Sequence, residues 1–298
     1  MATFPPEIWA AVFAQACLDQ GHTGRAISLV SKAFENICQP FKLQSLAVRG
    51  MPQVTGCIEM LQRTPVQFRA IKYLFISSFL PPEDNVEGAL WDADTEEELY
   101  EFILALLSVA RPTVQVLHIV FGMEHPCLFP PIDLPCVTDL TLQGPICFQD
   151  SPDRNVPNTA PFLRRLSITD TYDFQPEWWG DISKYAPNLT HLHLARWSGF
   201  YLDTAEDIQQ GLVLLPASLV QVIIHPGANP GGMCGTGLYV YTLIKSAFDR
   251  LAAQDKRIIL ESPAPRFNRS AGGHVEGEKE WLQTVNRMGG IGHLLDPK

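Results

Sequence analysis

One pattern recurs along most of this chain and limits what it can fold into. An apolar residue is followed by two of any kind, a second apolar residue, one of any kind, and a third apolar residue. The pattern stands at Leu43/Leu46/Val48, Ile71/Leu74/Ile76, Val114/Leu117/Ile119, Val137/Leu140/Leu142, Leu163/Leu166/Ile168, Leu189/Leu192/Leu194 and Leu219/Val222/Ile224, with a less regular eighth at Ile258-Ile259-Leu260. Side chains alternate between the two faces of a strand, so each segment predicts a short strand with alternate residues buried. The central residues fall at 46, 74, 117, 140, 166, 192 and 222, giving steps of 28, 43, 23, 26, 26 and 30 residues. A unit of that length cannot close a core alone and must stack on its neighbours. The expected fold class is therefore α/β, a curved parallel sheet with helices on its outer side.

Helical spacing separates some of the strands. Val54, Ile58 and Leu61 mark one helix, and Trp178 to Tyr185 another. Thr95-Glu96-Glu97-Glu98 reads as a capping box ahead of Leu99, Phe102, Ile103 and Leu106. Further helices are expected from Asp203 through Leu214 and from Leu238 to Ala253. The prolines after Leu117 and Leu140 predict flattened repeats without a helix, and residues 81–94 read as an acidic surface loop with Trp91 as its anchor.

The first forty residues differ in kind. Pro5-Pro6-Glu7 precedes Ile8, Trp9, Val12, Phe13 and Ala16 at helical spacing. Proline and glutamate suit a first helical turn, where the missing N–H had no partner and the helix dipole favours a carboxylate. Gly21 and Gly24 break that helix, a second run covers Ala26 to Val30, a third covers Ser31 to Cys38, and Pro40 stops it. Three short helices bury little surface by themselves. They form either a cap on the repeats or a partner-binding module.

Phe4-Pro5-Pro6-Glu7-Ile8, Val12-Phe13 and Val30-Ser31-Lys32-Ala33-Phe34 resemble the F-box, whose pattern runs Leu-Pro-x-Glu-Ile, Ile-Phe and Val-Cys-Lys-x-Trp. Phe4 stands where the family has leucine and Phe34 where it has tryptophan. The strand segments resemble leucine-rich repeats of irregular length, most clearly at Pro187-Asn-Leu-Thr-His-Leu-His-Leu194 and Leu215-Pro-Ala-Ser-Leu-Val-Gln-Val-Ile-Ile224. The expected organisation is an F-box-like domain over 1–40, irregular repeats over 41–262, and a linker with a helix over 263–298. That helix, around Trp281, Leu282 and Val285, is expected to cap the last repeat or else to occupy the binding face.

The resemblance implies a substrate-recognition subunit of an SCF-type ubiquitin ligase. Pro5, Ile8, Val12, Phe13, Val30, Lys32 and Phe34 carry the box pattern and would contact the adaptor, which bridges to a cullin scaffold. The repeats would hold an unknown target protein, and the chain would perform no bond chemistry itself. Residues beside each central apolar position should face away from the core. Tyr73, Phe75, His118, Arg165, His191, His193 and His225 are therefore expected to contact the target. Arg165 with protonated His191 and His193 would suit an acidic or phosphorylated peptide, more strongly below about pH 6.5.

Composition narrows the alternatives. With 22 basic and 32 acidic residues, the net charge of −10 repels a polyphosphate, so no nucleic acid is expected. The start lacks a leader-like apolar run and Tyr100 to Ala110 is too short to span a bilayer, so no membrane association is expected. Seven cysteines, none in a C-x-x-C pair, suit reduced thiols of a cytoplasmic or nuclear protein. Gly227 to Gly237 lacks the lysine of a phosphate-binding loop, and no hydrolase or zinc-finger spacing is present. No cofactor, no metal and no catalytic residue are expected. Two other readings stay open: a non-ligase scaffold whose box serves only as a cap, and a metal protein or enzyme centred on the His191-x-His193 pair.

Overall fold

The structure is a computed structural model that describes residues 4–79, 93–121, 127–128, 132–144, 146–147, 159–169, 177–197, 215–226, 235–262 and 273–289. The chain is α/β, and among the described residues the main sheet has eight strands, all parallel and in chain order. Its contacts divide it into two compact units, residues 1–118 with 271–298, and residues 119–270. The expected division into 1–40, 41–262 and 263–298 follows element type; the compact units cut across it, and the dividing line falls inside a strand.

Unit 1 opens with α1 (Pro6–Ala16), α2 (His22–Ser28) and α3 (Lys32–Cys38). Pro6 and Glu7 occupy the first turn of α1, as their chemistry favours. Gly21 takes φ +82°, a backbone that glycine adopts without a Cβ clash, and starts α2. The Asp19 carboxylate accepts from Thr23 N–H at 3.0 Å and from its hydroxyl at 2.6 Å, closing that turn. Ser31 caps α3 by accepting from Phe34 N–H. At Gly24 a Cβ would stand 3.0 Å from Lys42 Cα, so a side chain there would push the helices off the segment that follows them. Phe13, Cys17 and Cys38 form the small core, with Trp9, Ile27, Phe34, Ile37 and Phe41 packed around it.

This helical group is stitched to the strands by two side chains. Gln44 Nε2 donates to Ala14 O at 2.7 Å and Cys17 O at 3.2 Å, satisfying carbonyls that the end of α1 leaves open. Ser45 Oγ donates to Leu18 O at 3.0 Å. From there run β1 (Ser45–Arg49), α4 (Gly50–Arg63), β2 (Tyr73–Ser77), α5 (Ala93–Ala110) and β3 (Val116–Val120), of which residues up to His118 belong to unit 1. α4 buries Val54, Cys57 and Leu61, and α5 buries Leu99, Ile103, Leu106, Leu107 and Ala110, each at helical spacing. α5 begins at Ala93, two residues ahead of the expected capping threonine, so Thr95 lies inside the helix. The rest of the expected acidic loop lies outside the described residues.

Unit 2 carries the end of β3, then β5 (Asp139–Gln143), β7 (Arg165–Thr169), β8 (His191–Trp197), β9 (Gln221–Pro226) and β10 (Ile258–Leu260). A small parallel pair, β4 (Cys127–Leu128) and β6 (Ile146–Cys147), stands in the stretches where no helix was expected. α6 (Glu177–Tyr185) and α7 (Gly235–Gln254) lie between strands; the helix expected over Asp203 to Leu214 and most of the Gly227 to Gly237 loop lie outside the described residues. Leu140 pairs with Leu166, Leu166 with Leu192, Leu192 with Val222, and Val222 with Ile258. All five are buried, so they form one internal column, as the repeat spacing predicts. Gly144, at φ +123°, is obligatory: a Cβ there would fall 2.3 Å from Phe121 O.

A single device sets the register. Thr138 O accepts from Arg164 and Arg165 N–H, Arg164 O from Thr190 and His191 N–H, and Thr190 O from Val220 and Gln221 N–H. Unit 1 does the same: Gln44 O takes Lys72 and Tyr73 N–H, and Lys72 O takes Gln115 and Val116 N–H. At five strands, one carbonyl just before the strand thus receives two donors from the start of the next. No helix among the described residues is long and apolar enough to cross a membrane.

Leu166 sits in the middle of the column, so Leu166→Ala should leave a cavity costing about 2–5 kcal/mol. Chemical denaturation should show that loss in the unfolding of unit 2. A change below about 0.5 kcal/mol would place Leu166 outside the core.

Candidate functional site

The helical group separates its residues into two sets. Phe13 is only 3% exposed, and its ring lies 5.4 Å from Phe34 and 5.8 Å from Trp9. Trp9 and Phe34 are 4.8 Å apart, so the three aromatics form one cluster inside the helices. Phe13 was expected to be an exposed anchor; it is a core residue instead, because it sits on the inner stripe of α1 with Cys17. Phe34 is half-buried in the same cluster. Outside stand Ile8 at 49%, Val12 at 47% and Val30 at 67% exposed, with Pro5 and Lys32 also exposed. Ile8 and Val12 are four residues apart and share one face of α1.

Leu29, 87% exposed, and Phe4 belong with this outer set. The sequence reading placed Leu29 inside the second helix, whereas α2 ends at Ser28 and leaves Leu29 and Val30 in the connection to α3. The signal was available: Ser31 is a capping residue, and a cap ends the preceding helix before it. Phe4, Ile8, Val12, Leu29 and Val30 are thus large apolar side chains left in solvent on a small helical group.

The strand face of unit 1 is not open. Tyr73, Phe75 and His118, expected to contact a target, are all buried. α8 (Gly273–Gly289), the helix expected to cap the last repeat, packs instead on β2. Its Trp281 ring lies 5.7 Å from Phe75, whose other neighbour is His118 at 5.4 Å. Glu278 pairs with Arg49 of β1 through two hydrogen bonds and accepts from Gln20 Nε2. Two polar atoms in this seat, His118 Nε2 and Trp281 Nε1, are buried without a hydrogen-bond partner among the described residues. Each such atom costs about 1–3 kcal/mol relative to a paired one. Burial lowers the His118 pKa to about 3, so the folded ring is neutral near pH 7.

In unit 2 the corresponding positions are more accessible. Arg165 and His191 are exposed and sit side by side in register. Arg165 is already engaged: it grips the buried Asp139 carboxylate with two donors, while Thr138 Oγ1 donates to the same group at 2.8 Å. An incoming carboxylate would therefore meet a guanidinium partly neutralised by Asp139. His193 is held by Ser167 Oγ, 3.0 Å from Nδ1, and its ring meets that of His225 edge to face at 4.8 Å. His225 Nε2 lies 3.2 Å from a Glu261 oxygen.

Burial, with His225 alongside, lowers the His193 pKa to about 4. The expected gain of charge at His193 near pH 6.5 is thus corrected, because its ring stays neutral well below that. His191 and His193 also find separate partners: His191 Nδ1 lies 2.8 Å from Thr190 Oγ1. Among the described residues, no three histidine, cysteine or acidic side chains converge as a metal site would require. No family model matches this chain, and no curated protein matches its sequence.

The buried imidazoles give the fold an acid limit. Above about pH 6.5 His118 is neutral folded and unfolded alike. Between there and about pH 3 the unfolded chain takes up a proton that the folded chain refuses, so stability falls as pH falls, by at most about 1.4 kcal/mol per unit. His118→Phe should flatten that slope in pH-dependent denaturation of unit 1. An unchanged slope would mean that His118 protonates freely in the native state.

Proposed function

We propose that the chain is the substrate-recognition subunit of an SCF-type ubiquitin ligase, an F-box protein with irregular leucine-rich repeats. One observation carries this reading. The three-helix group satisfies its own core with Trp9, Phe13 and Phe34, yet holds Ile8, Val12, Leu29 and Val30 in solvent. A group that served only to cap the repeats would turn its large aliphatic side chains inward. The exposed set coincides with positions that carry the F-box pattern, Ile8, Val12 and Val30, and lies beside Pro5 and Lys32.

In this reading the exposed face takes the adaptor, which bridges to the cullin scaffold, while Phe13 and Phe34 hold the face in shape from beneath. The strand units present a target protein to the ubiquitin-charged partner. The contribution to the reaction is proximity, which raises the effective concentration of target lysines. Cys17 and Cys38, with sulfurs 3.9 Å apart and both free, suit the reducing cytoplasm or nucleus where such ligases work.

Ile8→Glu and Val30→Glu test the reading on the full chain. Each removes an exposed side chain, so thermal unfolding should be nearly unchanged, while adaptor affinity measured by calorimetry should fall about thirtyfold or more for each. Phe13→Ala should behave oppositely, destabilising the helices by about 3–5 kcal/mol. A parent chain that binds no adaptor sinks the ligase reading and leaves the scaffold with a helical cap.

A further inference from the structure

The seat of α8 is built unlike the rest of unit 1. α4 and α5 bury broad stripes of aliphatic residues against the sheet. α8 buries a single narrow row, Gly277, Trp281 and Val285, one turn apart. Its remaining surface carries Glu276, Lys279, Glu280, Gln283, Asn286 and Arg287, all exposed.

The contacts are few and specific. Trp281 enters beside Phe75, and Glu278 reaches Arg49 and Gln20. They read as an anchor aromatic with a charged locator three residues earlier, the arrangement by which an amphipathic helix is recognised in a groove. The seat is also imperfect: His118 Nε2 lies in it without a hydrogen-bond partner among the described residues. An occupant that offered that nitrogen a partner would gain a contact α8 does not make.

We propose that the face formed by β1, β2 and His118 is a helix-binding surface, and that α8 is its resident occupant. Its partner is an amphipathic helix with a carboxylate three residues before a tryptophan and an aliphatic residue four residues after it. Tethering gives α8 a high effective concentration, so the apparent affinity for a partner is its intrinsic affinity reduced by the fraction of open chains. The face is held closed until a better-matched helix displaces α8. This surface lies on the strands and its test contains no adaptor, so it stands or falls separately from the ligase reading.

The probe is a labelled synthetic peptide of residues 273–289, titrated into the full chain and followed by fluorescence anisotropy. Trp281→Ala in the chain releases its own helix, so that variant should bind the peptide at least tenfold more tightly than the parent chain does. A peptide bearing Trp281→Ala should not bind either chain. A peptide bearing Glu278→Arg should prefer a chain bearing Arg49→Glu to the parent. Equal binding by parent and variant chains, or no binding by a variant that keeps its thermal transition, overturns the proposal. If the Trp281→Ala chain fails to fold, hydrogen exchange on the parent decides. Amides of α8 exchanging together at least tenfold faster than those of β2 support a displaceable helix; exchange of both in one global event overturns it.

Discussion

Five strands of this protein are each preceded by a carbonyl that accepts two backbone donors from the start of the next strand. Gln44, Lys72, Thr138, Arg164 and Thr190 all act in this way. The device uses no side chain and excludes only proline at its two donor positions, so the connections between strands are free to vary in length and content. What does not vary is the phase: the doubly accepting residue comes one position before the strand, and the apolar residue at the second strand position then meets its counterpart. Leu46 against Leu74, Leu140 against Leu166, and Leu166 against Leu192 follow from that phase. Unequal repeats of 23 to 43 residues can share one geometry because only the strand starts are held.

With the apolar column fixed on one side, the alternate residues must go to the other, and there the two units differ. In unit 2 that side keeps ordinary polar chemistry: an Arg165–Asp139 pair, Ser167 with His193, and His225 with Glu261. In unit 1 it carries Tyr73, Phe75 and His118, all buried, and it is covered by α8. The covering helix comes from a point more than 150 residues further along, and its Glu278 pairs with Arg49.

The helical group shows the same division of labour on a smaller scale. Trp9, Phe13 and Phe34 are drawn inward into one cluster with Ile27 and Ile37 beside it, Gln44 and Ser45 fasten it to β1, and Ile8, Val12, Leu29 and Val30 are left outside. Core and exposed positions are thereby separated residue by residue, Phe13 in the first set and its neighbour Val12 in the second.

Much of this was legible without coordinates. The repeated apolar spacing determined the strands, their order of stacking and the interior column, because strand alternation is a local property and buried leucines leave a local trace. Pro6 marked the start of the first helix, Gly21 the break after it and Pro40 the stop after the third, for equally local reasons; the second helix was misplaced, since α2 runs His22–Ser28 with Gly24 inside it and Leu29 and Val30 beyond its end. The length of α5 was underestimated because the capping pattern at Thr95 proved to lie within the helix. The state of the opposite strand face could not be read, since Tyr73, Phe75 and His118 alternate with the core in the same way whether water or a helix covers them. The inward turn of Phe13 was likewise invisible, because an apolar residue at helical spacing is the same signal for a core and for an interface. Both were decided by contacts between residues far apart in the chain: Trp281 on Phe75, Glu278 on Arg49, and Phe13 against Phe34. Such contacts leave no periodic mark in a sequence, because neither partner's neighbours carry any record of the other.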